Sequence, residues 1–193
     1  MVCPEEGGKG LESAPQIVIE EPKLADLLDW WDRERAGHTV PPLSSVDPTR
    51  IPVSVLPHVA VMDPPDADSR IHVRLTGSQL DLEIGLNITG KYLDEFISGE
   101  NLDYLNGLFA TVVEDRVPVY SAGKVMLPNK HLMLTRRLML PFGTDSVERV
   151  MVGQTFVWVD DKDAGNYALV LNGNAVIDHK EFRLATGQAT KTA

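Results

Sequence analysis

Residues 59–96, VAVMDPPDADSRIHVRLTGSQLDLEIGLNITGKYLDEF, decide the fold. The segment opens with a mostly apolar run, Val59–Asp63, which ends at two prolines. It continues with an alternating run, Arg70–Thr76. Because successive residues of a strand face opposite sides of a sheet, both runs predict strands joined by a turn. A short helix, Ser78–Ile84, should follow, with Ser78 as its N-cap and Gly85 at its end.

The chain after this segment changes from a helical to a strand period. A helical turn is predicted at Tyr92–Phe96, and a longer helix should begin with Asn101 as its cap and run to Asp115. Alternation then predicts three long strands, which are Val117–Leu127, His131–Pro141 and Val147–Val159. Two strands, a set of helices and three more strands predict an α+β fold with an antiparallel sheet.

The chain before residue 59 predicts one more helix, Leu24–Ala36, with leucines and a tryptophan repeating along one face. The last predicted strand is apolar on both faces, since Val150 and Val152 alternate with Met151. A sheet that was wet on one side would alternate between apolar and polar residues. We therefore expect helices to cover both faces, with the N-terminal helix on the second.

In this order, the elements resemble a PAS domain, in which two strands, a run of short helices and three strands form one five-stranded sheet. The narrower resemblance is to alphaproteobacterial single-PAS proteins. It rests on the helix WWDRERAG at 30–37, the proline-rich stretch 41–57, Arg74-Leu75-Thr76-Gly77 and Ile88-Thr89-Gly90. It covers about residues 24–159.

The resemblance implies a PAS-like α+β fold with a five-stranded antiparallel sheet, short helices on one face and the N-terminal helix on the other. We expect a flexible N-terminal lead at 1–20, the PAS-like domain at 21–159 and a partly disordered extension at 160–193. The function implied is a sensory or signal-transduction module, often dimeric. A ligand-free protein-interaction or dimerisation module acting on a signalling protein is the alternative.

Composition narrows the class of partner. The chain carries 28 acidic against 18 basic residues, a formal net charge of −10, which disfavours nucleic acid and anionic membrane surfaces as partners. The start of the chain has no basic and apolar pattern typical of a signal peptide, and the single cysteine, Cys3, cannot form an intramolecular disulfide. These features predict a cytoplasmic protein.

Common catalytic and cofactor sites require particular residues at particular spacings. We expect no enzyme, because the sequence has no nucleophile elbow and no phosphate-binding glycine loop. No metal site is expected, since no two histidines have the spacing that places ligands on one helix face. Within the resemblance, flavin photochemistry of the cysteine-adduct type is not supported, because Cys3 is the only cysteine. Haem ligation by a middle-helix histidine is not supported either, and any cofactor stays unknown.

A small apolar or weakly anionic ligand could lie between the middle helices and the sheet. The candidate lining residues are Leu80, Ile84, Leu105, Leu108 and Phe109, with Tyr104 and Arg136 as polar anchors. Pockets of this type are apolar with a few convergent polar groups. The alternatives are that the apolar residues fill the core and that the adjacent arginines, Arg136 and Arg137, make structural ion pairs.

The N-terminal helix supplies a candidate interface. Leu27, Trp30 and Trp31 could form a homodimer contact or dock a signalling partner, because aromatic residues are enriched at interfaces. The alternative is that these side chains are buried against the protein's own sheet. The sequence does not separate the two.

Overall fold

A computed structural model describes residue 19 and residues 21–126, 132–158 and 179–183. The α-helices are α1 (Pro22–Glu34), α2 (Ser78–Ile84) and α3 (Glu100–Asp115), and 3-10 turns lie at Leu43–Ser45, Leu56–His58 and Leu93–Glu95. The strands are β1 (Val59–Met62), β2 (Val73–Thr76), β3 (Val119–Met126), β4 (Leu132–Gly143), β5 (Val147–Trp158) and β6 (His179–Arg183). Among these described residues, no helix has the length and apolar character needed to cross a membrane.

The strands form one antiparallel sheet in the order β2-β1-β5-β4-β3-β6. The first five strands are the predicted five-stranded sheet, and their bounds lie close to those expected from the alternation. The sixth strand was not predicted, and it pairs with β3 at the sheet edge. The lead at 1–20 and the extension at 160–193 otherwise lie outside the described residues, apart from residue 19.

Helices cover both faces of the sheet, as expected from the doubly apolar β5. Val59, Val61 and Met151 belong to the core on the α1 side, whereas Ala60 and Val152 belong to the core beneath α2 and α3. Alternation along each strand therefore separates two apolar cores with the sheet between them.

The first core depends on the fit of α1 against β4 and β5. The ring nitrogen of Trp31 donates a hydrogen bond of 2.9 Å to the carbonyl of Pro141, which fixes the helix to β4. On β5, Gly153 leaves room for two leucines of α1, because a Cβ there would lie 2.5 Å from Leu27 and 2.9 Å from Leu24. The missing side chain at Gly153 therefore lets the apolar face of α1 pack closely against β5.

Two predicted helix caps are wrong, and in both cases a glycine takes the position. Gly77 is the N-cap of α2, where a Cβ would lie 2.3 Å from the carbonyl oxygen of Pro57, so the close approach of the chain excludes a side chain. Gly99 is the N-cap of α3 with a φ of 62°, a conformation that favours glycine. Asn101 consequently lies inside the first turn of α3, where it is buried.

The chain between α2 and α3 is fastened to the end of β2. Backbone hydrogen bonds join Leu93 to Ile71 and Lys91 to Val73. The guanidinium of Arg70 forms a two-pronged contact with Asp94 at 2.7 and 2.9 Å. It also lies 3.9 Å from the ring centre of Tyr92. These contacts hold in place one wall of the core beneath α2 and α3, here called the inner core.

The glycine on β5 gives a test of the packing of α1. We expect Gly153→Ala to lower the free energy of unfolding by about 1–2 kcal/mol, because the added methyl group overlaps two buried leucines. Gly107→Ala on α3 is the control. A Cβ there meets nothing within 4 Å, so the variant should gain about 0.5–1 kcal/mol from helix propensity. Urea denaturation measures both, and equal stabilities of the two variants would contradict this packing.

Candidate functional site

A cavity of about 90 Å³ lies in the inner core, between the sheet and the layer formed by α2, the following loop and α3. The helices and the loop supply a mostly apolar roof, formed by Ile84, Ile88, Leu93, Phe96, Ile97, Leu105 and Phe109. Asn101 and Tyr104 of α3 add polar groups to this roof. The opposite wall is the inner face of the sheet.

The sheet wall, here called the cavity floor, is unusually polar. It consists of Ser121 and Gly123 of β3, Thr135 and Arg137 of β4, and Val152, Gln154 and Phe156 of β5, with Met62 of β1 beside them. Strand register places Ser121, Arg137 and Gln154 side by side in one row across three strands. The floor therefore follows from pairing and alternation alone, since all these positions share one face.

Hydrogen bonds join the polar side chains of the floor. The Nε of Arg137 donates to the amide oxygen of Gln154 at 3.2 Å, and the amide nitrogen of Gln154 donates to the hydroxyl of Thr135 at 3.1 Å. Gln154 is thus held at both ends, and it orients the guanidinium plane. The chain of bonds gives the floor a fixed polar geometry rather than a loose set of polar side chains.

The surroundings of Arg137 are poorly suited to a charge. Burial desolvates the guanidinium and lowers the pKa of Arg137, and the nearby Tyr104 opposes part of this effect. The group nevertheless stays protonated near neutral pH, because arginine does not lose its proton in proteins. The cavity therefore contains a permanent positive charge in mainly apolar surroundings.

Four of the seven residues predicted to line a pocket do line the cavity, namely Ile84, Tyr104, Leu105 and Phe109. The other two apolar candidates, Leu80 and Leu108, are buried in the core at 2% and 1% exposure and do not reach the cavity. Their positions agree with the alternative that these side chains fill the core. A binding role for the four remains a prediction.

The polar anchor on β4 was assigned to the wrong one of two adjacent arginines. Arg136 shares its sheet face with Leu138, on the α1 side, whereas Arg137 lines the cavity. Sequence reasoning shows only that the two arginines face opposite sides of the sheet. It does not give the pairing of β4 with its neighbours, which decides between them. It also missed Ser121, Thr135 and Gln154, although polar residues at alternate positions in apolar strands were a signal for them.

The three candidate interface residues lie inside the protein. Leu27, Trp30 and Trp31 are all buried between α1 and the sheet, with exposures of 0%, 5% and 1%. This arrangement corresponds to the alternative of packing against the protein's own sheet. A contact through α1 would have to use its opposite, polar face, and substitution of Trp31 would disturb folding before any interface.

Comparison with known proteins adds the family. The sequence matches the PAS domain family described as PAS_5 over residues 19–155. Among solved structures, the PAS domain of an HTR-like protein from Haloarcula marismortui is similar, with 13% sequence identity and a TM-score of 0.38. That match covers 51% of this chain and 79% of the other. No curated protein has a significant match to the sequence.

The charge in the cavity should cost stability when the cavity is empty. We expect Arg137→Met to raise the free energy of unfolding of ligand-free protein by about 1–2 kcal/mol, because methionine fills similar space without a charge to desolvate. Arg136→Met on the opposite face is the matched control and should not be stabilised. Urea denaturation of both variants measures this difference, and a destabilised Arg137→Met protein would show that the charge is compensated.

Proposed function

The chain belongs to the PAS domain family, and we propose that it is a sensory signal-transduction module that binds a small ligand in the cavity between sheet and helices. Family membership supports the sensory class, and the polar cavity floor supports the binding of a ligand. We further propose that the domain has no catalytic activity of its own and acts in the cytoplasm. The narrower likeness to alphaproteobacterial single-PAS proteins remains a prediction.

The observation that carries the proposal is the hydrogen-bonded row of polar side chains facing the cavity. A buried polar group is costly unless a partner satisfies it, and an apolar residue at the same position would avoid that cost. Thr135, Arg137 and Gln154 nevertheless all face one small space beneath a mostly apolar roof. An apolar roof over a few oriented polar groups is the usual composition of a small-molecule site.

The proposed signal passes through the roof. The segment from α2 to the start of α3 includes Gly85 and Gly90, both at positive φ, and it presents Leu82 and Leu86 to solvent on its outer side. A ligand held beneath this segment would favour one arrangement of the roof, and so change what its outer side presents to a partner.

A ligand-free interaction or dimerisation module is the second candidate, and the same segment favours it. Leu82 is 73% exposed, and Leu75 and Leu86, close to it in sequence, are each 42% exposed. A contiguous patch of exposed apolar side chains typically marks a protein contact. In this reading, a homodimer or a signalling protein contacts α2 and its neighbours, and the cavity plays no part.

One experiment separates the two candidates. Protein purified without denaturation should release a small molecule at near one equivalent when its mass is compared under native and denaturing conditions. Ser121→Leu should abolish this retention, because Ser121 lies in the floor and the larger side chain fills much of the cavity. Ser121→Ala leaves the cavity open and should retain the molecule.

The outcomes have opposite meanings. Retention by the wild type and by Ser121→Ala, with loss in Ser121→Leu, supports the ligand-binding module. A wild-type protein that releases nothing and runs as a dimer favours the interaction module. Equal retention by all three proteins would show that the molecule binds somewhere other than the cavity.

A further inference from the structure

The charge balance of the cavity is unlike that of the rest of the protein. The chain as a whole has a formal net charge of −10, yet among the described residues that line the cavity Arg137 is the one that carries a permanent charge. These described lining residues include no aspartate or glutamate. The cavity is therefore a small positive space inside an acidic protein.

Arg137 also differs from the other arginines whose partners the structure describes. Five of those form ion pairs, which join Arg35 to Asp32, Arg50 to Glu34, Arg70 to Asp94, and both Arg74 and Arg149 to Asp63. Among the residues whose side chains the structure describes, 21–123 and 134–157, no carboxylate forms an ion pair with Arg137, and its side-chain hydrogen bond goes to the neutral amide of Gln154. A cation in mainly apolar surroundings is normally matched by an anion.

The geometry of Arg137 suits an incoming anion. Gln154 binds its Nε and so fixes the plane of the guanidinium, and the two Nη atoms can form a two-pronged contact with a carboxylate. The other polar groups among the described lining residues are neutral amides and hydroxyls, which offer no opposite charge to a second charged group on the ligand. This favours a monoanion over a dianion, and it disfavours an amino acid, whose ammonium would lack a carboxylate.

The size and lining of the cavity limit the rest of the ligand. A cavity of roughly 150 Å³ in another protein admits benzene. The cavity here measures about 90 Å³. By proportion it holds a whole ligand of roughly three or four heavy atoms, that is, a carboxylate with an apolar body of a single carbon. Phe96, Leu105 and Phe109 of the roof would surround such a body with apolar surface.

We infer that the cavity takes a short-chain organic monocarboxylate, with its carboxylate on the guanidinium of Arg137 and its hydrocarbon tail beneath the aromatic and leucine side chains of the roof. This inference rests on the proposed ligand-binding function and names the class of ligand. In this arrangement, the anion supplies a counter-charge to Arg137, and the tail lies against the apolar roof of the cavity.

The test compares acetate with acetamide, which has the same shape without the charge. Each is titrated into the full chain, labelled with ¹⁵N and freed of bound molecules by dialysis, and amide chemical shifts around Ser121 report binding. Acetate should bind ten- to a hundredfold more tightly than acetamide, the factor expected for a hydrogen-bonded charge pair, or about 1.4–2.7 kcal/mol.

Two variants assign the effect to one side chain. Arg137→Met should lose the preference for acetate, while its cavity and its weak affinity for acetamide remain. Arg136→Met removes an equal charge from the opposite face of the same strand, so it should keep the preference. A preference that survives in Arg137→Met, or is lost equally in both variants, would overturn the assignment.

The remaining outcomes separate this inference from the function on which it rests. Equal binding of acetate and acetamide would overturn the anion assignment and leave ligand binding in the cavity standing. Binding of neither compound would overturn the short-chain carboxylate. If wild-type protein also releases no molecule on denaturation, the ligand-binding function falls with it.

Discussion

The register of β3, β4 and β5 is the constraint on which the other features of the molecule depend. Pairing sets Ser121 beside Arg137 and Arg137 beside Gln154, and alternation then directs these three side chains to the same face. The intervening positions, such as Leu138, face α1 instead. A shift of one residue would exchange the faces, placing Arg137 beneath α1 and apolar side chains in the cavity floor.

Two helical layers fix this register from opposite sides. On the outer face, α1 requires the space above Gly153 and the hydrogen bond from Trp31 to Pro141, so β5 and β4 can present only one set of residues to it. On the inner face, α2 and α3 contact the sheet around the cavity rather than filling it. The same sheet therefore has a tightly packed face and a face with space for a ligand.

The sequence predicted the elements well because hydrophobic period is a local signal, and it predicted the site less well because the site is assembled across strands. The strands, α1 and the two covered faces all followed from spacing. The choice between Arg136 and Arg137 needed the pairing partners of β4, and the caps at Gly77 and Gly99 needed the path of neighbouring chain. Asn101, taken as a cap, is in fact part of the cavity roof.

The most direct test of this account is an experimental electron-density map of protein purified without denaturation, read at the cavity. The account predicts density for a small molecule in contact with the Arg137 guanidinium and covered by Leu105 and Phe109. An empty cavity in which Arg137 forms an ion pair with a carboxylate of the protein itself would contradict it. In that case, the polar floor would be part of the fold's own core, and the interaction module would remain as the proposed function.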